Sequence, residues 1–240
     1  MRIQQAGTQM KPATLAAVAL LLAGCDINVE TGPEQHETQA VELDKTEMAR
    51  VEIKMGVGEL TVDGGSPKLA EADFTYNVPS WKPVMRVDSS SFRKQITIEQ
   101  PGGSHGGHHT TYKWNVRLND TVPLDVVAHL GAGEARMNLG SVSLRSLEMN
   151  IGVGQVRVDL RGKPSRDYSV NVHGGVGQAT IYLPSSVGIV ANAKGGIGNI
   201  NVRGLEKRGD AWINPAHENA PVTIHVDVKG GVGEIQLIAE

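Results

Sequence analysis

The string Gly-apolar-Gly followed by Glu, Gln or Asn occurs six times in this chain. The copies are Gly56-Val57-Gly58-Glu59, Gly131-Ala132-Gly133-Glu134, Gly152-Val153-Gly154-Gln155, Gly175-Val176-Gly177-Gln178, Gly196-Ile197-Gly198-Asn199 and Gly231-Val232-Gly233-Glu234. Their first glycines are separated by 75, 21, 23, 21 and 35 residues, and three near-equal steps mark an internal repeat. Aligned on the first glycine, the positions three and five upstream are apolar in all copies (Ile53 and Val51, Ala128 and Val126, Met149 and Leu147, Val172 and Val170, Ala193 and Ala191, Val228 and Val226). The positions four and six downstream are apolar as well, from Leu60 and Val62 in the first copy to Ile235 and Leu237 in the last. Two residues upstream every copy is polar: Lys54, His129, Asn150, His173, Lys194 and Lys229. Period-two alternation on both sides of a glycine corner predicts strand, tight bend, strand, with one face buried and one wet.

A two-stranded unit of about 21 residues cannot bury its own apolar face, so the units must stack with like positions in register. The fold class expected is all-β, a β-solenoid or rack of stacked two-strand repeats with Gly-x-Gly corners, over residues 48–240. Long insertions fall at 64–122 and 203–220 and are expected to decorate the sides of the stack. The chain ends at Glu240 directly after its last repeat, so the terminal coil is expected to leave an unpaired edge open to self-association.

Before the repeats, Arg2 and Lys11 are the only charged side chains ahead of Asp26, and residues 13 to 23 are almost wholly apolar. That is a secretory signal layout. Eleven residues rise only about 16 Å as a helix, roughly half a bilayer core, too short for a permanent span. The segment Leu22-Ala23-Gly24-Cys25 resembles the lipobox of bacterial lipoproteins, which implies cleavage after residue 24 and acylation of Cys25. Cys25 is the only cysteine in the chain, so no internal disulfide is possible. Asp26 resembles the signal that retains enterobacterial lipoproteins in the inner membrane; the expected location is extracytoplasmic, on the inner or outer membrane. Residues 25–47 then read as the lipidated Cys and an acidic tether, with Asp26, Glu30, Glu34, Glu37, Glu42, Asp44 and Glu47 against Lys45 alone. Removing the leader leaves 21 basic against 26 acidic side chains, a net charge near −5 with no basic patch for nucleic acid.

The first insertion holds Phe74, Tyr76, Trp81, Phe92, Tyr112 and Trp114, six of the nine aromatic residues. Here Gly56-Val57-Gly58-Glu59-Leu60, Phe74-Thr75-Tyr76-Asn77, Trp81-Lys82-Pro83, Trp114, Leu118 and Val122-Pro123-Leu124 resemble the bacterial toast-rack family (DUF2154). That envelope group is related to the extracytoplasmic part of the LiaF-type cell-wall-stress proteins and to predicted adhesins. The resemblance implies the fold more than a function, since most members have no assigned biochemical activity.

The candidate chemistry is sparse. None of the Gly-x-Gly strings has the third glycine of a dinucleotide loop; Thr61, Arg136, Arg157, Thr180, Asn201 and Gln236 stand there, and strands follow instead of helices. The loop at 101–110 presents His105, His108 and His109, a metal-ligating set only if a glycine-rich backbone is ordered around the ion; a solvated hairpin loop is the favoured reading. Glu59, Glu134, Gln155, Gln178, Asn199 and Glu234 share one repeat position and should form a ladder along the stack, structural rather than catalytic. The row from Lys54 to Lys229, with Glu52, Glu148 and Asp227 two residues upstream, reads as cross-strand charge pairing on a wet sheet. No cofactor is called for. The function expected is a non-enzymatic, lipid-anchored envelope module that scaffolds or senses a protein or cell-wall partner. The alternative is an envelope lipoprotein binding a saccharide, lipid or metal, with Trp81, Trp114 and Tyr112 at the mouth of the site.

Overall fold

The computed structural model describes residues 30–102 and 109–240. Its strands are β1 (Gln35–Val41), β2 (Met48–Asp63), β3 (Ala70–Tyr76), β4 (Val84–Ser90), β5 (Arg93–Glu99), β6 (Tyr112–Leu118), β7 (Leu124–Asn138), β8 (Leu144–Asp159), β9 (Tyr168–Leu183), β10 (Gly188–Arg203), β11 (Glu206–Arg208), β12 (Ala211–Ile213) and β13 (Thr223–Ala239). The six that carry a glycine string are 15 to 17 residues long and pair in parallel in the order β2-β7-β8-β9-β13-β10. Like repeat positions face one another throughout, so that Gly58, Gly133, Gly154, Gly177, Gly233 and Gly198 stand in one row.

A straight strand of that length spans roughly 50 Å. Yet the turn that follows β7 closes onto the start of β7: the Val142 amide donates to the Leu139 carbonyl at 3.1 Å, and the Leu124 amide to the Ser143 carbonyl at 2.9 Å. Both ends of the strand therefore lie at one edge, the base, and the chain doubles back at its glycines. The second glycine of each string has φ between +134° and +147°, a conformation closed to side chains with a Cβ. Each repeat is thus a bent strand with two arms, and the bends line up as a crest opposite the base. The upstream row from Val51 and Ile53 and the downstream row from Leu60 and Val62 meet between the arms as the core.

The first insertion continues the sheet rather than decorating it. Strand β5 pairs in parallel with the first arm of β2, and β6 with its second arm. Then β3 lies antiparallel on β6, and β1 antiparallel on β3. The acidic-tether reading of residues 25–47 is accordingly corrected from residue 35 onward, because Gln35–Val41 is a strand. Acidic composition alone misread it: Glu37 pairs with Lys82 at 3.0 Å, Thr38 donates to Asp73 at 2.6 Å, and Val41 is buried. Residues 1–29, with the expected leader and Cys25, lie outside the described residues.

The unpaired edge also lies elsewhere than expected. The insertion at 203–220 gives β13 the length to cross over and lodge between β9 and β10, so the last strand in sequence is interior and β10 ends the stack. Strand β12 covers only Val190 and Ala191 of β10. In the open second arm Ile200 is 39% exposed, whereas its counterparts Leu60, Ala135, Val156 and Ile235 are buried.

The junction between insertion and repeats hangs on Asn119, which is 5% exposed. Its Nδ2 donates to the carbonyls of Ser66 and Lys68, while its Oδ1 accepts from the Thr121 amide and hydroxyl and the Val122 amide. Removing it leaves several buried groups unpaired at about 1–3 kcal/mol each before relaxation. Asn119→Ala is expected to lower the unfolding free energy by about 2–3 kcal/mol, read as a lower urea midpoint.

Candidate interaction edge

Three rows run along the crest, because parallel in-register pairing repeats each position at every rung. The middle residues of the glycine strings form the first: Val57, Ala132, Val153, Val176, Val232 and Ile197, each opposite the next. Val57 packs partly against the core, whereas the last four rungs are exposed, 54% at Val153, 49% at Val176, 45% at Val232 and 73% at Ile197. The insertion explains the contrast. The Tyr112 backbone covers the first rung at Gly58, and nothing in the described chain covers the last four.

On the first-arm flank runs Lys54, His129, Asn150, His173, Lys229 and Lys194. Lys54 pairs with Glu52 at 3.1 Å, His129 lies 3.9 Å from the same carboxylate, and Lys229 pairs with Asp227 at 3.1 Å. On the second-arm flank runs Glu59, Glu134, Gln155, Gln178, Glu234 and Asn199, the ladder expected from the repeat position. Lys113 meets Glu59 at 3.1 Å, Arg136 meets Glu134 at 2.9 Å, and Asn201 donates to Glu234 at 2.6 Å. Glu59 and Glu134 stand on adjacent rungs, and each of the three carboxylates has its own partner.

Two hollows adjoin the crest. A shallow groove of about 660 Å³ follows the first-arm flank, with Lys54, His129, Asn150, His173 and Gln100 on its walls. Gln100 Oε1 accepts from the Gly56 and Val57 amides and so closes the first bend. The second hollow, about 70 Å³, lies beneath the crest of the last coils. It arises because Met55, Leu130 and Ile151, which plug the early bends, are replaced by Gly174, Gly230 and Gly195 at the same position.

The aromatic site expected at Trp81, Trp114 and Tyr112 is corrected. All three are buried, at 4%, 0% and 4% exposure, and form the core of the insertion with Phe74. Trp114 meets Phe74 edge-on at 5.4 Å and Tyr112 in a tilted arrangement at 5.5 Å; Trp81 meets Tyr112 edge-on at 5.5 Å. The Tyr112 hydroxyl donates to the Trp81 carbonyl at 2.7 Å, and burial pushes its phenol well above the usual range. Period two decides the matter: Tyr112, Trp114, Val116 and Leu118 face in, while Lys113, Asn115 and Arg117 face out. Of the histidine loop, His105 and His108 lie outside the described residues. His109 is exposed with φ +64°, and its carbonyl accepts from Asn77 Nδ2 at 2.8 Å. Among the described residues no three metal-binding side chains are grouped.

The chain enters the domain at the crest. Gln35 stands opposite Tyr76, Tyr76 opposite Tyr112, and Tyr112 beside Gly58, while the Gly32 amide donates to the Asn77 carbonyl at 2.7 Å. Sequence reasoning missed the crest row itself. The signal was available: a bend needs only its glycines, yet all six middle residues are apolar.

Stacked, bent strands bearing the same residue class at each rung define a β-repeat protein of the solenoid kind. The chain belongs to the toast-rack family, its residues 30–182 matching the family described as the N-terminal domain of toast_rack, DUF2154. A crystal structure of a candidate cell adhesion protein from Clostridium sporogenes is 31% identical, covers 87% of this chain and all of its own, and superposes with a TM-score of 0.84. A candidate adhesin from Bacteroides fragilis is 11% identical, with coverage of 85% and 97% and a TM-score of 0.31. No curated protein matches the chain. No helix among the described residues is long and apolar enough to cross a membrane.

Proposed function

We propose that this chain is a non-enzymatic module of the bacterial cell envelope, anchored by lipid at Cys25, that holds a protein or cell-wall partner along the first-arm flank. The observation that carries this reading is the row of Lys54, His129, Asn150 and His173 along one continuous groove. It is repeated rung by rung, which suits an extended partner better than a single reacting bond. The likeness to a candidate cell adhesion protein supports a holding role. The test is a crosslinking pull-down from native membranes with the full chain and with His129→Glu, His173→Glu. Both positions are outside the core, so the variant should fold. A partner protein recovered with the native chain and reduced at least about tenfold with the variant supports the module. A small molecule co-purifying in its place, with no protein, overturns it in favour of the ligand-binding lipoprotein.

A further inference from the structure

We propose that the crest of the last four coils is a second membrane contact, seated in the surface of an anionic bilayer. The inference rests on the reading that Cys25 is lipidated, and three observations carry it.

The first is the row Val153, Val176, Val232, Ile197. Rungs lie about 4.8 Å apart, so four of them make an apolar edge roughly 15 Å long. Branched aliphatic residues 45% to 73% exposed on four consecutive rungs are unusual on a surface that meets only water.

The second is charge. Beside these four rungs the first-arm flank carries His173, Lys229 and Lys194, and the second-arm flank carries amides at Gln155, Gln178 and Asn199 with Glu234 as its carboxylate. The early rungs instead carry Glu59 and Glu134. Lys229 pairs with Asp227, but Lys194 makes no ion pair in the described structure. Carboxylates are thus thinned out along the exposed part of the crest, where an anionic headgroup layer would otherwise repel them.

The third is chain direction. Strand β1 starts at the crest, and Gly32 is tied there to Asn77. The seven residues from Cys25 to Gly32 reach at most about 25 Å. An acyl anchor at Cys25 therefore holds the crest end of β1 within that reach of the bilayer. Glu30 and Glu34 ride on the entering chain at the opposite end of the crest, so the domain tilts to plant its last coils.

The experiment uses the mature lipoprotein carrying Ile197→Cys, labelled with a polarity-sensitive fluorophore and bound to phosphatidylcholine vesicles with or without phosphatidylglycerol. An acylated Cys25 offers no thiol, so one label per chain is expected. Emission should shift to the blue and brighten several-fold on the phosphatidylglycerol vesicles, with quenching by headgroup-proximal spin-labelled lipid. Adding Lys194→Glu and Lys229→Glu should remove most of that gain. A label at Ser165→Cys, in the base turn between β8 and β9, should report water throughout. One label per chain with an aqueous signal at position 197 overturns the crest contact and leaves the anchor standing. Two labels per chain overturn the anchor, and this proposal with it.

Discussion

Gly177→Ala is expected to lower the unfolding free energy by upwards of about 4 kcal/mol, the exceptional end of single substitutions. A Cβ at this position would lie 1.7 Å from the Gly154 carbonyl oxygen and 2.8 Å from its carbon. Both are backbone atoms, so no rotamer change relieves the clash. The residue also holds φ at +141°, which an alanine adopts only under strain. Accommodation requires β8 and β9 to part at the crest, and the parallel ladder there joins the first half of the stack to the second. Three residues earlier, Gly174 has neither constraint: its nearest neighbour would be Ile151 Cγ2 at 3.7 Å, and its position opens onto the hollow beneath the crest. Gly174→Ala is expected to be neutral or stabilising by up to about 1 kcal/mol, since it restricts the unfolded chain and adds a methyl contact. Urea titrations of the two variants check both statements. Equal midpoints would mean that neighbouring backbones do not touch at the corners.

The same glycines explain what the sequence made legible. A fixed period with alternation on either side forces stacking in register, because a slip of one residue turns every Val and Ile outward. Residues opposite one another at Ile53 and Ala128, or Leu60 and Ala135, follow from that constraint alone. Position in the stack was not legible, because strand order depends on crossovers: β13 reaches its interior place only through the 203–220 insertion. Neither was the edge strand β1, whose Glu37 and Thr38 look solvated until Lys82 and Asp73, more than 30 residues away, supply their partners. The aromatic insertion was misread for a different reason. Large rings in a repeat protein with few of them suggested a binding mouth, but small aliphatic coils leave the first coil open at its end, and filling that end needs volume. Tyr112, Trp114 and Phe74 supply it, which left the apolar crest as the surface that the repeat itself presents.

Trp114→Ala should therefore act on folding and not on any ligand, with an expected loss of about 3–5 kcal/mol. The indole is fully buried, pairs in register with Leu60 of the first coil and sits between Phe74 and Tyr112. Truncation removes one edge-on and one tilted ring contact, each worth about 0.5–1.5 kcal/mol beyond area burial, and opens a cavity that rigid neighbouring strands cannot close. Trp114→Phe keeps a ring against both partners and should cost less than half as much. The discriminating measurement is partner capture at a temperature where both variants remain folded. If aromatic side chains contributed to recognition, Trp114→Phe would lose partner in proportion to Trp114→Ala. The expected result is that capture follows the folded fraction alone, while His129→Glu, His173→Glu abolishes it with the urea midpoint scarcely moved. Stability and recognition then separate onto different parts of the chain, the first on the glycine corners and the aromatic cap, the second on the exposed rows beside the bends.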